Sequence, residues 1–231
     1  MSKPKKLYQI AIDGPAASGK STVAKLAAKR LGAFYVNTGE MYRTIALACI
    51  RNGIDTDSEA DVAKKLAEWT MEFRDSGDGE IDIIFNGLSV VKSELRLPEV
   101  AMASSKVAKI PAVREWMKQK QRDCRNLGTI IMEGRDICTV ILPDATAKFF
   151  ITATPEERAR RRLAQSGEVS DGATLKSVAA EIAARDLQDS TRKIAPLKPA
   201  EDAKLIVTDG MTAEQVTDLV IKTFKEKANL N

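Results

Sequence analysis

Five apolar runs short enough to be buried strands, residues 7–12, 34–36, 129–132, 148–152 and 205–208, are separated by stretches with helical spacing. The stretch 22–31 stops at Gly32, and Pro111 opens another helix that runs toward Gly128. Proline lacks an N–H that a first turn cannot use, and glycine turns freely just past an end. Thr154-Pro155-Glu156-Glu157 and Thr212-Ala213-Glu214-Gln215 each have the capping-box form, in which a hydroxyl and a reciprocal acid or amide share the free donors of the first turn. Strands alternating with helices of this length predict an α/β fold, a five-stranded parallel sheet flanked by helices, with ligands outside the carboxyl ends of the strands. Residues 71–92 break the alternation. Their turn signals, Ser76-Gly77-Asp78-Gly79 and Asn86-Gly87, predict an antiparallel meander inserted into the α/β core.

Composition narrows the chemistry. The 231 residues are 44% hydrophobic and 29% charged, enough for one sizeable core with insertions. The formal net charge of +4 suits anionic small molecules. Two Trp, three Tyr and six Phe are too few for base-stacking platforms, so no nucleic-acid partner is expected. The chain has no histidine, which excludes Ser-His-Asp and Cys-His catalysis and HExxH zinc sites. Cys49, Cys124 and Cys138 form no CxxC spacing, an odd set that fits a reducing compartment. The first apolar run is too short for a signal peptide or a membrane span, so a cytoplasmic protein without membrane partners is expected.

Directly after the first strand stands Gly14-Pro15-Ala16-Ala17-Ser18-Gly19-Lys20-Ser21, followed by Thr22 and a helix. This is the G-x4-G-K-[ST] pattern of a P-loop. Backbone N–H groups curl around phosphate oxygens, the helix start adds partial positive charge, Lys20 reaches the β and γ phosphates, and Ser21 is a Mg²⁺ ligand. Neither an Asp-x-x-Gly turn nor an Asn-Lys-x-Asp guanine clamp accompanies it, which counts against a signalling GTPase. A small-molecule kinase remains, and moving a phosphoryl group onto a second anion requires guanidiniums lining the gap.

The arginines meet that requirement. Thr38 and Arg43 follow the second strand, and Arg135 and Asp136 follow the third in Glu133-Gly134-Arg135-Asp136. Arg185, Asp189 and Arg192 are spaced four and three apart, on one face of the helix opened by Thr174. Arg158, Arg161 and Arg162 share a face of the helix opened by Pro155.

Together these residues closely resemble bacterial cytidylate kinases from about Leu7 to about Ile221. The likeness is carried by Ile12 to Ala16, Thr38-Gly39 through Tyr42-Arg43, Pro98-Glu99-Val100, Pro111 to Arg114, Gly134-Arg135-Asp136, and Arg185-Asp186 through Ala195-Pro196-Leu197. The resemblance implies a nucleoside monophosphate kinase fold, with a P-loop NTPase core in residues 1–38, 102–154 and 193–231. It implies an acceptor-binding insertion carrying the small antiparallel sheet in 39–101, and a short lid with an acceptor-contacting helix in 155–192. It implies phosphorylation of CMP and dCMP by ATP with Mg²⁺, in a monomer. By the same resemblance Arg43, Arg135 and Arg192 lie near the acceptor phosphate, Ser105, Arg114 and Asp136 near the cytosine, and Arg185 and Asp189 near the sugar. Cytosine offers an N4 donor beside N3 and O2 acceptors, which a carboxylate and a guanidinium match. Lys20, Arg135, Arg158 and Arg162 are expected to offset charge on the transferred group.

Five positions depart from the family pattern. Glu133 stands for Asp, Cys138 for Gly, Asn37 for Asp, Glu40 for a small residue and Ala17 for Gly. The rival readings are a kinase of UMP or of another small acceptor, and a nucleotide-dependent binding switch.

Overall fold

The computed structural model describes residues 6–77, 79–165, 169 and 172–230. Five strands, β1 (Gln9–Asp13), β2 (Phe34–Asn37), β6 (Ile130–Gly134), β7 (Ala147–Thr152) and β8 (Lys204–Val207), form one parallel sheet in the order β2-β6-β1-β7-β8. All five follow the apolar runs to within a few residues. Parallel strands need helical crossovers, and the helices bury both faces of the sheet. On one face Ile10, Ile12, Ile131, Phe149 and Ile151 pack with Val23 and Ala27 of α1 (Lys20–Leu31) and Val220 and Phe224 of α8 (Ala213–Ala228). Gly32, left-handed, ends α1 as predicted.

On the other face Ala11, Val36, Met132 and Ile130 join α2 (Thr38–Arg51), α3 (Glu59–Leu66), α4 (Pro98–Val107) and α5 (Pro111–Asp123) in a single hydrophobic cluster. The inserted meander is present as β3 (Met71–Asp75), β4 (Ile81–Phe85) and β5 (Leu88–Ser89), antiparallel, with Asn86 and Gly87 both at positive φ in the two-residue turn. Met71, Ile81 and Ile83 of that meander belong to the same cluster, so the insertion is packed onto the sheet. It also covers the β2 edge, where Tyr35 N donates to Gly79 O at 2.9 Å.

Two helices, α6 (Pro155–Leu163) and α7 (Leu175–Thr191), meet in a smaller cluster of Ala159, Val178 and Ile182 that touches Ala17. Only one of the two expected capping boxes closes. Thr212 and Gln215 exchange both bonds, whereas Glu157 turns to Arg160 and Arg161 and leaves the Thr154 N–H to Asp209. The charged partners win because an ion-paired carboxylate is held more strongly than one accepting a neutral amide. Arg192 is not on α7: it caps the helix with extended backbone, and the chain turns back through Ala195 so that Leu197 N donates to Asp189 O at 2.8 Å. Among the described residues no helix is long and apolar enough to cross a membrane.

Candidate active site

The loop 14–19 sits at the carboxyl end of β1, between the sheet and α1. Gly14 cannot carry a side chain, because a Cβ there would lie 2.0 Å from Ile151 O of β7. Ala17, which departs from glycine, adopts φ 56, a left-handed conformation that costs an alanine about 1 kcal/mol. Lys20 is buried, with Nζ donating to Pro15 O at 3.1 Å and standing 3.8 Å from Glu133 Oε2. Burial, and then the charges of Arg135, Arg185 and Arg162, push its amine down to about 7, opposed by Glu133. Ser21 Oγ donates to Glu133 Oε1 at 2.7 Å, and the buried Ser18 hydroxyl has no partner.

The helix α6 braces this loop. Arg158 donates through Nε to Ala153 O at 3.1 Å and through Nη1 to Ala16 O at 3.2 Å and Asp186 at 2.5 Å. Its guanidinium, expected at the transferred group, is spent on the backbone of the loop and on α7. Arg161 does the same one turn on, reaching Ser18 O at 3.2 Å, Thr208 Oγ1 at 2.8 Å and Thr208 O at 2.9 Å. Spacing alone singles out neither residue for this bracing, because their acceptors are backbone carbonyls more than a hundred positions away for the loop contacts. Arg162 contributes its charge to the surroundings of both Lys20 and Arg185.

Across from the loop, acidic and basic side chains alternate. Arg114 pairs with Asp136, Arg192 stands 3.8 Å from Asp136 and 3.7 Å from Asp189, and Arg135 Nε donates to Asp189 at 2.8 Å. Arg43 donates to Leu95 O at 2.8 Å. Arg185 is half-buried, and its desolvation with the charges of Arg135, Arg162 and Arg43 pushes it down to about 10 against the pull of Asp189. Burial also raises Asp136, against the opposing influence of Arg114 and Arg192. Arg192 Nη2 is buried without a hydrogen-bond partner. The charges of Arg43, Arg135 and Arg162 all act on Arg185, and those of Arg135, Arg162 and Arg185 on Lys20, so arginines from α2, the β6 end, α6 and α7 concentrate positive charge around Arg185 and Lys20, an arrangement that favours a polyanion. Thr38 turns its hydroxyl to the β6 backbone, and Ser105 meets α7 through its main chain. The Thr38 hydroxyl donates to Glu133 O at 2.9 Å, and Ser105 is held through its carbonyl, which accepts from Gln188 at 3.3 Å.

A family model described as cytidylate kinase matches residues 10–226. The chain belongs to the cytidylate kinase family. A cytidylate kinase of Pelotomaculum thermopropionicum is 44% identical over 92% of this chain and 93% of its own, and one of Thermosipho melanesiensis is 43% identical over 96% and 99%. One of Streptococcus suis is 42% identical over 96% and 98%. An uncharacterized protein of Eubacterium ventriosum shares the fold, with a TM-score of 0.54 at 14% identity over 94% of this chain and 98% of that one. The protein is thus a nucleoside monophosphate kinase that phosphorylates CMP at the expense of ATP.

The kinase's departures have physical accounts. Asn37 caps α2 by accepting from Glu40 N at 3.3 Å while its amide donates to the Glu40 carboxylate at 3.4 Å, so the two substitutions match as a pair. Cys138 lies in a π-helical turn at Ile137–Ile141, its thiol set 3.5 Å from both Ala11 O and Phe149 O. That turn is clamped by Asp13, which accepts from Ile137 N at 2.9 Å and Cys138 N at 2.7 Å. Asp13 was not among the expected site residues; only its buried partners distinguish it. For Mg²⁺ the donors fit. No group of three or more acidic or thiol side chains cages a metal among the described residues, and a hydroxyl beside one carboxylate suits a hydrated hard cation shared with nucleotide phosphates.

Proposed function

We propose that the kinase transfers the γ phosphoryl group of ATP to both CMP and dCMP by in-line displacement. A phosphate oxygen of the acceptor forms the new P–O bond, the β–γ bridging oxygen leaves with its electron pair, and the products are ADP and CDP or dCDP. Residues 14–22 hold the triphosphate. Ser21 and the nucleotide phosphates would hold Mg²⁺, which when bound offsets phosphate charge. Lys20, Arg135 and Arg162 face the transferred group, and Arg158 contributes by fixing the loop that Lys20 leaves.

On the acceptor side Arg43, Arg135 and Arg192 bind the phosphate, Thr38 shapes the floor beneath it, Arg185 and Asp189 meet the sugar, and Ser105, Arg114 and Asp136 read the base. Asp136 accepts from the cytosine N4 amino group and Arg114 donates to N3 or O2, so uracil presents a carbonyl to a carboxylate. Residues 39–101 act as the acceptor domain and 155–192 as the lid and acceptor-contacting segment, and their closure excludes water. The resemblance of the motifs supports a monomeric, cytoplasmic enzyme.

The observation that carries this reading is the buried Arg192 Nη2, which stands 3.8 Å from Asp136 Oδ1 and makes no hydrogen bond. A buried guanidinium nitrogen without an acceptor is costly unless an anion completes it. A coupled assay over CMP, dCMP, UMP, AMP and GMP tests the reading. Turnover should be highest with CMP and dCMP, and equal turnover of AMP or GMP rejects the base assignment.

A further inference from the structure

Glu133 carries one rotatable bond more than an aspartate, so its carboxylate must be pinned by contacts if it is to occupy one place. In the register of β2 on β6, Tyr35 lies opposite Ile131, with Glu133 two residues further along β6. Side chains two apart on a strand share a face, and a diagonal pair is within reach of long side chains. The face is the one covered by α1, where Tyr35 and Ile131 belong to the same buried cluster. Tyr35 OH donates to Glu133 Oε1 at 3.1 Å, the oxygen that also accepts from Ser21 at 2.7 Å, while Oε2 faces Lys20 at 3.8 Å. Tyr35 itself is fixed by burial, by the Gly79 carbonyl on its N–H and by Lys25 over its ring at 5.6 Å.

We propose that Tyr35 is a positioning residue for phosphoryl transfer: its hydroxyl selects the Glu133 rotamer that aims one carboxylate oxygen at Ser21 and the other at Lys20. A carboxylate accepting two hydroxyl donors on one oxygen cannot rotate without losing both. Without the Tyr35 donor, the longer side chain can swing toward Lys20 and form a direct pair with it. Such a pair draws the ammonium from the place a β or γ phosphate needs, and leaves Ser21 without its acceptor. The inference rests on the roles given above to Lys20 and Ser21.

Tyr35→Phe removes the oxygen and keeps the buried ring. It should lower kcat and weaken binding of ATP with Mg²⁺, measured by calorimetry without acceptor, each by about threefold to tenfold. The KM for CMP and the thermal midpoint should stay near those of the parent. In an E133Q background the same substitution should have little further effect, because its route runs through the carboxylate. Fully multiplicative effects of Y35F and E133Q on kcat overturn the proposal, as does a fall in thermal midpoint with kcat and nucleotide binding unchanged. Failure of the underlying roles shows separately, since Lys20→Ala would then retain ATP binding and transfer.

Discussion

Arg135 Nε and Asp189 Oδ2 meet at 2.8 Å although 54 positions separate the two residues. The contact ties the end of β6 to α7, and Asp189 also faces Arg192 at 3.7 Å. One carboxylate thereby spaces two guanidiniums assigned to the acceptor phosphate. Asp189→Ala should raise the KM for CMP about tenfold to a hundredfold, the scale of a lost charged hydrogen bond, and lower kcat through the released Arg135. Steady-state kinetics over CMP concentration checks this, and an unchanged KM rejects the spacing role.

Base selectivity should respond to Asp136. It is buried and paired with Arg114, so Asp136→Asn removes the negative charge while keeping shape. The amide can donate to the uracil carbonyl, and the ratio of kcat/KM for CMP over UMP should fall by about tenfold or more. Competition between the two acceptors measures the ratio directly.

Arg158 and Asp186 form a largely buried pair between α6 and α7, and the same guanidinium holds Ala16 O. Arg158→Ala leaves a carboxylate unpaired and should destabilise the fold by about 3 kcal/mol, a fall of about 10 °C in thermal midpoint. A role confined to the transition state would instead lower kcat and leave the melting curve in place.

The Lys20 amine, pushed down to about 7 by burial and by Arg135, Arg185 and Arg162, is partly neutral in the nucleotide-free protein at physiological pH. An incoming triphosphate favours the ammonium. Binding of ATP at about pH 8 should therefore take up a proton, and at about pH 6 almost none. Calorimetry in buffers of different ionisation enthalpy reads the uptake from the slope of apparent enthalpy.

Asp13 is raised by burial from 3.8 to about 6 despite its two amide donors. The folded state then binds more protons than the unfolded one between those values, so this group's contribution to stability falls as pH rises from about 4 to 6 and is unfavourable above. Asp13→Asn should flatten that segment of the profile, and should cost about 1–3 kcal/mol near neutrality because an amide nitrogen meets an N–H. Chemical denaturation of both proteins across that range tests the sign.

The P-loop pattern is legible without coordinates because it is local: phosphate binding needs consecutive backbone amides, and eight consecutive residues supply them. The meander was legible for the same reason, since Asn86-Gly87 encodes its own positive φ values. The Thr154 box stays open because Arg160 and Arg161, on the same helix, compete for Glu157. Arg192 falls outside α7 because helical spacing says nothing about where a helix stops, and the turn through Ala195 stops this one.

The amino-acid order alone determined the strand and helix alternation, the phosphate loop and the family, all of which depend on short-range patterns. Which way each guanidinium points was decided only in three dimensions. Arg158 and Arg161 turn to the loop's carbonyls, whereas Arg135 and Arg192 gather at Asp189, whose charge Arg185 also feels. The physical reason is that an arginine's role is set by the nearest buried acceptor, and strands and helices far apart in the chain bring those acceptors into reach.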